Sequence, residues 1–359
     1  MGVAMSLERQ VTFWVAALAI FAALLWLLSP VLMPFIAGMA LAYLLDPLTR
    51  RVERAGLGRA LSALIVIVLI IVAIVVVIAL VAPILGDQLF AFIDNIPKYM
   101  ERLQALISDP NREWLTKMFG GQMSDPGKSV GGLMAQGATW LAAFLASLWS
   151  GGRALVSVLS LLIITPVVAF YLLCDWDRLI VTVDNWIPLP HRETVRGLAR
   201  EMDSAIAGFV RGQAVICMIL GVFYAIGLTL AGLHFGFLIG SATGVMSFIP
   251  FVGALTGFLV AGGVAVAQFW PNWMPILAVV GVFAVGQVLE GYILSPNLVG
   301  KRVGLHPVWL MFSLLAFGYL FGFVGLLVAI PLAAAIGVLT RFALRQYLAS
   351  PLYTGGGPR

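Results

Sequence analysis

Long apolar stretches dominate the sequence, and their lengths constrain the fold more than any other feature. A helix needs about 20 apolar residues to cross a hydrocarbon core that is about 30 Å thick. Six stretches approach or exceed this length: 11–28, 31–45, 60–85, 155–173, 209–233 and 276–294. Two more, 235–270 and 307–342, are longer still. We therefore predict an all-α polytopic membrane protein with about eight membrane helical segments.

The composition supports this prediction and excludes other classes of protein. Apolar residues make up 62% of the chain and charged residues 10%, whereas soluble domains carry about 45–50% and about 25%. A soluble enzyme, a disordered scaffold and a secreted disulfide-bonded domain are excluded. The basic residues behind the net charge of +5 cluster beside apolar stretches. This placement favours membrane orientation over nucleic-acid binding.

The two longest apolar stretches are predicted to be re-entrant hairpins. A straight helix of this length would measure about 54 Å, too long for one crossing, and each half is short for a full crossing. Pro250 and Pro331 lie near the middles of the stretches, where proline removes a hydrogen bond and breaks a helix. The fold is therefore read as six full spans plus two proline-broken hairpins. A tight hairpin at Ser29-Pro30 is predicted between the first two spans.

Basic residues predict the orientation. With a cytoplasmic amino terminus, the arginine-containing segments 46–59 and 175–207 lie inside, as the positive-inside rule requires. The carboxyl terminus is then also cytoplasmic. Charge does not distinguish re-entrant hairpins from hairpins that cross the membrane twice, because both give the same sidedness.

The two hairpins also resemble each other in sequence. Gly-Val-Met-Ser-Phe-Ile-Pro at 244–250 aligns with Gly-Leu-Leu-Val-Ala-Ile-Pro at 325–331. Hairpins that enter from opposite sides would form an inverted repeat, a pattern that marks the binding site in transporters. Chance is the alternative, because these residues are common in membrane helices.

Two polar segments separate the spans. Residues 87–108 repeat apolar side chains at helical spacing and predict an amphipathic helix; residues 120–132 resemble a loop and 133–149 a second helix. This outer segment is either a membrane-surface packing element or a subunit contact. Residues 175–207 are predicted to be a charged amphipathic helix that connects spans in the cytoplasm.

The sequence contains little that could catalyse a reaction. It has no glycine-rich phosphate loop, zinc-protease motif or nucleophile elbow, so we predict that the protein is not an enzyme. The two cysteines and three histidines are scattered, and neither a metal nor another cofactor is expected.

Polar residues within the apolar stretches are the candidate cargo ligands, because such groups usually face protein or a cavity. Glu290 is the only acid deep in a predicted span. It either couples transport to protons or cations, or hydrogen-bonds the substrate, or forms a structural ion pair with Arg211 or Lys301. Backbone exposed around the proline tips supplies further candidates. The full set of substrate- or ion-binding candidates is Gln213, Phe248, Pro250, Phe251, Gly253, Gln287, Glu290, Asn297 and Pro331.

Five motifs carry a resemblance to a known family. They are Gly-Phe-Val-Arg-Gly-Gln at 208–213, Phe-Ile-Pro-Phe-Val-Gly at 248–253, Gln-Val-Leu-Glu-Gly-Tyr-Ile-Leu-Ser-Pro-Asn at 287–297, Val-Gly-Leu-His-Pro at 303–307 and the 325–331 motif. The chain resembles the autoinducer-2 exporter family, or PerM-like permeases, over nearly its whole length. The resemblance implies a multi-pass protein of the bacterial inner membrane, homo-oligomers that are pentamers, and a transport unit moving against a fixed scaffold. Members of that family export the quorum-sensing signal autoinducer-2, and others are linked to sodium or lithium/proton antiport.

These observations lead to a functional hypothesis. Residues 1–86 would form the scaffold, 87–152 the outer segment, 153–207 a span with its connector, 208–345 the transport unit and 346–359 a cytoplasmic tail. The protein would be a secondary transporter that exports a small polar or signalling molecule by alternating access, with hairpin tips near Pro250 and Pro331. Cation/proton antiport, a glycine-lined pore at Gly253, Gly257, Gly262 and Gly263, and a scaffold that recruits partners through 87–149 are the alternatives.

Overall fold

A computed structural model describes residues 7–107, 152–300, 304–350 and Tyr353. Within these residues the protein is all-helical, without a strand, as predicted. Its eight α-helices are α1 Leu7–Arg54, α2 Arg59–Ile107, α3 Gly152–Trp186, α4 Arg192–Leu230, α5 Gly236–Met246, α6 Val252–Phe269, α7 Trp273–Val288 and α8 Pro307–Leu348. The predicted loop at 120–132 and helix at 133–149 lie outside the described residues.

Several helical segments meet the requirements for crossing a membrane. In the described part of the chain, six are long and apolar enough: Leu32–Arg54, Arg59–Tyr99, Leu189–Leu230, Val252–Phe269, Trp273–Gly300 and Pro307–Leu348. Their apolar side chains are extensively exposed; Leu69 and Leu80 of α2 are 61% and 68% exposed. Such surface is stable against lipid rather than water. The chain is therefore a multi-pass membrane protein.

The predicted hairpin at Ser29-Pro30 is wrong. Helix α1 runs without interruption for 48 residues, and its backbone remains helical across both residues. Proline fixes φ at a helical value and removes only one backbone donor, a loss that membrane helices tolerate. Helix α2 likewise continues through Pro83 and Pro97, so the predicted amphipathic helix is confirmed as the carboxyl-terminal part of a longer helix.

The charged segment 175–207 is two helical ends rather than one helix, contrary to the prediction. Helix α3 ends at Trp186, a short 3₁₀ turn follows at Leu189–His191, and α4 then begins. The sequence Ile-Pro-Leu-Pro at 187–190 stops α3 because proline disfavours helical geometry in the preceding residue. The Asp184 carboxylate accepts two 2.7 Å hydrogen bonds from Arg196 across this turn. The hydrogen bond from Arg196 lowers the pKa of Asp184 below its usual value.

Contacts divide the chain into two compact units. The first contains Met1–Ile67, Ser160–Val210 and Arg302–Arg359, and the second contains Val68–Leu159 and Arg211–Lys301. The second unit has an apolar core to which α4 contributes Ile216, Leu220, Tyr224 and Leu228. The predicted functional division into scaffold and transport unit remains a prediction.

Within the first unit, α1 packs closely on α3, and polar contacts hold the helix ends. A Cβ atom at Gly38 would lie 2.7 Å from Val168 of α3, so glycine permits this approach. The Arg59 guanidinium donates a 2.7 Å hydrogen bond to the Leu173 carbonyl and pairs with Asp46 at 3.2 Å. These contacts explain why this arginine lies at the start of α2.

The two predicted hairpins break at different kinds of residue. The first breaks near Pro250, as predicted, because α5 ends at Met246 and α6 begins at Val252. In α8 the chain instead reverses at Gly322, where φ is 60°, and Gly325 meets the backbone of Phe317. The predicted tip at Pro331 is wrong: this proline lies inside the second arm. Only glycine adopts this positive φ without strain, whereas proline accepts the helical φ.

Candidate functional site

Small residues bring α5 against α4 in the second unit. Gly236, Gly240 and Gly244 recur every fourth residue and therefore share one face of α5. A Cβ atom at Gly236 would lie 2.7 Å from the Leu228 carbonyl carbon, and Gly244 meets Gly221 of α4. Such small-residue stripes let membrane helices approach to backbone contact. The stripe determines how closely the α5–α6 hairpin lies to the polar residues of α4.

The hairpin tip is held by a predicted site residue. Gln213 is 3% exposed, and its Nε2 donates a 2.6 Å hydrogen bond to the Ser247 carbonyl. The Ser247 hydroxyl donates to the Thr243 carbonyl at 2.8 Å, and Gly253 packs directly on the Ser247 backbone. The structure therefore brings Gln213 and Gly253 together at the tip that contains Pro250.

We expect Gln213→Leu to destabilise the second unit. The substitution removes the donor to a buried carbonyl, and an unsatisfied buried polar group costs about 1–3 kcal/mol. Thermal unfolding of the purified protein in detergent should show a lower Tm than wild type. Gln346→Leu is the control, because Gln346 is exposed on α8. Equal Tm values for the two variants would contradict a tip-holding role for Gln213.

The remaining tip residues and the glycines have different surroundings. Phe251 is exposed and has φ of 68°, a conformation that is unusual for a bulky residue; Phe248 and Pro250 are partly buried.

Gly257 packs on Thr243 of α5. Gly253 and Gly257 thus serve helix packing, whereas no atom lies within 4 Å of a Cβ built at Gly262 or Gly263. The interpretation of all four glycines as one pore lining is wrong, because two of them are filled by packing.

Helix α7 does not break at Ser295-Pro296. It continues as two π-helical segments, Leu289–Leu294 and Pro296–Gly300. The wider π turn accommodates a proline, and π segments inside α-helices are frequent at functional sites. Asn297 is exposed and donates a 2.7 Å hydrogen bond to the Ile293 carbonyl. Its side chain supports the helix rather than joining the other candidates.

A polar cluster forms where α4 faces α7; we call it the Tyr224 cluster and define it as Cys217, Tyr224, Gln287 and Glu290. Tyr224 is fully buried; its ring stacks on Phe283 with centroids 4.9 Å apart. The Glu290 carboxylate acts electrostatically on the Cys217 thiol and the Tyr224 hydroxyl. Gly286 allows this approach, since a Cβ there would collide with the Tyr224 hydroxyl.

The Tyr224 hydroxyl is the unusual group of this cluster. It is buried and has no hydrogen-bond partner of ordinary geometry among the described residues, although the Gln287 amide lies beside it. Buried polar groups nearly always have partners, and an orphaned one calls for an explanation. The cluster therefore presents a donor, an amide and a carboxylate that a polar solute could bind.

Glu290 is partly buried. The structure tests one of its predicted roles, the structural ion pair. No ion pair joins it to any described residue; Lys301, one predicted partner, lies outside the described residues. Within the described residues, no three His, Cys, Asp or Glu side chains gather in a way that could hold a metal ion. Glu290 thus has no ion-pair partner in the part of the chain that is described.

Sequence reasoning missed Cys217 and Tyr224 as members of the site. They follow Gln213 by four and eleven residues, which places all three on one face of α4. That spacing was the available signal, but most tyrosines of membrane proteins lie at interfaces. Pro331, the last candidate, belongs to the other unit, in an arm of α8.

Membrane-crossing helices, a proline-broken hairpin and polar groups gathered inside a helical unit define a membrane transport protein. The chain matches the sequence model of the AI-2E family transporter over residues 15–345. It therefore belongs to the AI-2E family of transporters, and the predicted family is confirmed. The members of this family are transporters and permeases rather than enzymes.

Named relatives agree with this assignment. The chain is 29% identical over 329 residues to "Putative transport protein YrrI" of Bacillus subtilis, covering 89% of each chain. It is 28% identical over 318 residues to "Putative permease PerM" of Escherichia coli K12, covering 87% of each chain. A third relative, "Putative transport protein YueF" of Bacillus subtilis, is 27% identical over 314 residues, 86% of this chain and 83% of its own.

Proposed function

We propose that this protein is a secondary transporter that binds a small polar molecule at the Tyr224 cluster. One observation carries the proposal: the buried Tyr224 hydroxyl has no hydrogen-bond partner of ordinary geometry among the described residues, although the Gln287 amide lies beside it. An unsatisfied buried hydroxyl costs about 1–3 kcal/mol, and a hydroxylated cargo would offset that cost. Autoinducer-2, a hydroxylated furanone-type signal, has the required acceptors and donors.

The proposed mechanism is alternating access with export from the cell. The tip of the α5–α6 hairpin, which the buried Gln213 side chain joins to α4, would act as the moving gate. The sequence has no phosphate-binding loop, which favours coupling to an ion gradient, or none, over nucleotide hydrolysis. The proposal has three further parts. The hairpins are re-entrant and form an inverted repeat, the protein assembles as a homo-oligomer, and it lies in the inner membrane with both termini in the cytoplasm.

Cation/proton antiport is the second candidate, and Glu290 favours it. A partly buried carboxylate in a spanning helix, without an ion pair to the described residues, is suited to exchanging a proton for sodium or lithium. A change in the charge of Glu290 would alter the electrostatic environment of the Cys217 thiol and the Tyr224 hydroxyl.

Reconstituted liposomes distinguish these two functions. Vesicles containing the purified protein and a pH-sensitive dye are exposed to sodium, lithium and potassium gradients, with and without autoinducer-2. Saturable autoinducer-2 movement without a cation-driven pH change supports the exporter. A pH change driven by sodium or lithium alone supports the antiporter. Conductance that does not saturate would contradict both.

We expect Tyr224→Phe to separate the roles of this residue in transport and in stability. The variant retains the stacked ring and removes only the orphaned hydroxyl, so the free energy of unfolding should stay equal or rise by about 1 kcal/mol. Transport should weaken, with KM increased about tenfold for the loss of one hydrogen bond. Initial transport rates and Tm are the two measurements. Tyr171→Phe is the control, since Tyr171 is 61% exposed; an unchanged KM for Tyr224→Phe would contradict cargo binding at this hydroxyl.

A further inference from the structure

An open cavity of about 950 Å³ lies in the second unit, away from the Tyr224 cluster. Its walls are the carboxyl-terminal part of α2, the segment that joins α4 to α5, and the end of α6. Its volume falls within the range of small-molecule sites, about 300–1,000 Å³. The lining residues that matter below are Asp87, Gln88, Lys98, Glu101, Arg102 and His234.

Hydrogen bonds hold the walls of this cavity in place. Gln268 accepts from the His234 backbone N–H at 2.9 Å and donates to the Gly232 carbonyl at 2.9 Å. Gln88 of α2 accepts from the Leu238 N–H at 3.0 Å. The side-chain amides of Gln268 and Gln88 thus hold the cavity walls together. The other polar groups of the cavity are the ones that could bind a ligand.

The aromatic side of the cavity is held in a strained conformation. Phe235 has φ of 55°, a left-handed value that is unusual for a bulky residue. Edge-to-face contacts to Phe92 at 5.3 Å and to Tyr99 at 6.4 Å hold its ring. Strain of this kind is concentrated at ligand-binding and functional positions. The ring offers an apolar surface inside the cavity.

The charged side of the cavity carries both signs. Asp87 and Glu101 are negative, and Lys98 and Arg102 are positive. Arg102 donates a 3.2 Å hydrogen bond to the Ala267 carbonyl. No hydrogen bond or ion pair joins Asp87, Lys98 or Glu101 to another described residue. An ammonium group and a carboxylate group could therefore each find an opposite charge here.

We propose that this cavity binds a small zwitterion of the amino-acid type. The ammonium group binds Glu101, the carboxylate binds Lys98, which lies one helical turn away, and an apolar side chain packs on Phe235. A ligand with a single charge would meet repulsion from the group of like sign, and a neutral polyol would leave both signs without a counter-charge. Such a site is separate from the cargo cluster, and it does not depend on the proposed transport cycle.

Isothermal titration of the purified full-length protein in detergent tests the proposal. L-leucine is the zwitterionic probe; 4-methylpentanoate lacks its ammonium group, 3-methylbutylamine lacks its carboxylate, and glycerol is the polyol. We expect L-leucine to bind at least about tenfold more tightly than either singly charged analogue. The absence of L-leucine binding, equal affinity for an analogue, or tighter binding of glycerol would overturn the proposal.

Point variants of residues on α2 test where L-leucine binds. Glu101→Gln and Lys98→Met should each weaken L-leucine binding about tenfold, because each removes one charge-assisted hydrogen bond. Asp94→Asn is the matched control, since Asp94 is exposed on the same helix and does not line the cavity. The Tm of each variant verifies folding. Equal binding by Glu101→Gln, Lys98→Met and wild type would place the site elsewhere. The titration requires no transport, so its failure is distinguishable from failure of the proposed function.

Discussion

Under the antiport candidate, Glu290→Gln is expected to reduce cation-driven proton movement to the level of protein-free liposomes. Glutamine retains the shape of the side chain and its hydrogen bonding, but it cannot exchange a proton near neutral pH. Partly buried carboxylates in spanning helices are the usual proton carriers of transporters. The measurement is the initial rate of dye-reported pH change after a sodium or lithium gradient is imposed.

The matched control for this variant is Glu193→Gln. The Glu193 side chain is 85% exposed near the start of α4, so its loss should leave proton movement unchanged. Retention of wild-type proton flux by Glu290→Gln would remove the coupling role from this carboxylate. If the protein instead moves a neutral cargo that hydrogen-bonds Glu290, the variant should bind that cargo about 10–100-fold more weakly without any proton signal.

Gly240→Ala is expected to destabilise the second unit strongly. An added Cβ would collide with the backbone at Tyr224 and Ala225 of α4, and backbone atoms cannot move aside as a flexible side chain can. Overpacking of this kind typically costs about 1–3 kcal/mol, and we expect the upper end here. The variant should show a Tm lower by several degrees in detergent, and transport should fall because α5 moves away from the Tyr224 cluster.

Gly262→Ala is the control for Gly240→Ala. No atom lies within 4 Å of a Cβ built at Gly262, and alanine has a better helix propensity than glycine by about 1 kcal/mol. This substitution should leave the Tm unchanged or raise it slightly. Equal Tm values for the two alanine variants would show that α5 does not depend on the glycine stripe for its position.

The helical membrane fold could be predicted because it follows from composition and stretch length. A backbone in lipid must satisfy its hydrogen bonds internally, so long apolar stretches have helices as their available solution. The interruption near Pro250 was also predictable, and so was the placement of Gln213, Gln287 and Glu290 on spanning helices. These predictions depend on residues close together in the chain.

Prolines show where local reasoning failed. Pro250 lies at a break, whereas Pro296 and Pro331 lie inside continuous helical segments. A proline removes one hydrogen bond in every case, but whether the helix breaks depends on how the freed carbonyl is satisfied and on neighbouring turns. The reversal at Gly322 could not be predicted either. Gly322 is one of 38 glycines, and its positive φ is visible only in the folded chain.

The sequence by itself determined the class of the protein, its helices and the polar residues they carry, because hydrophobic length and backbone hydrogen bonding act locally. Tertiary structure alone decided which of these residues meet. Tyr224 is one of eight tyrosines, and only the packing of α4 against α5 and α7 leaves its hydroxyl buried beside Gln287 and Glu290. Likewise, Lys98 and Asp87 share a cavity with Phe235 only because α2 folds against the α4–α5 junction. Contacts between residues distant in the chain depend on close packing of side chains, which no local pattern specifies.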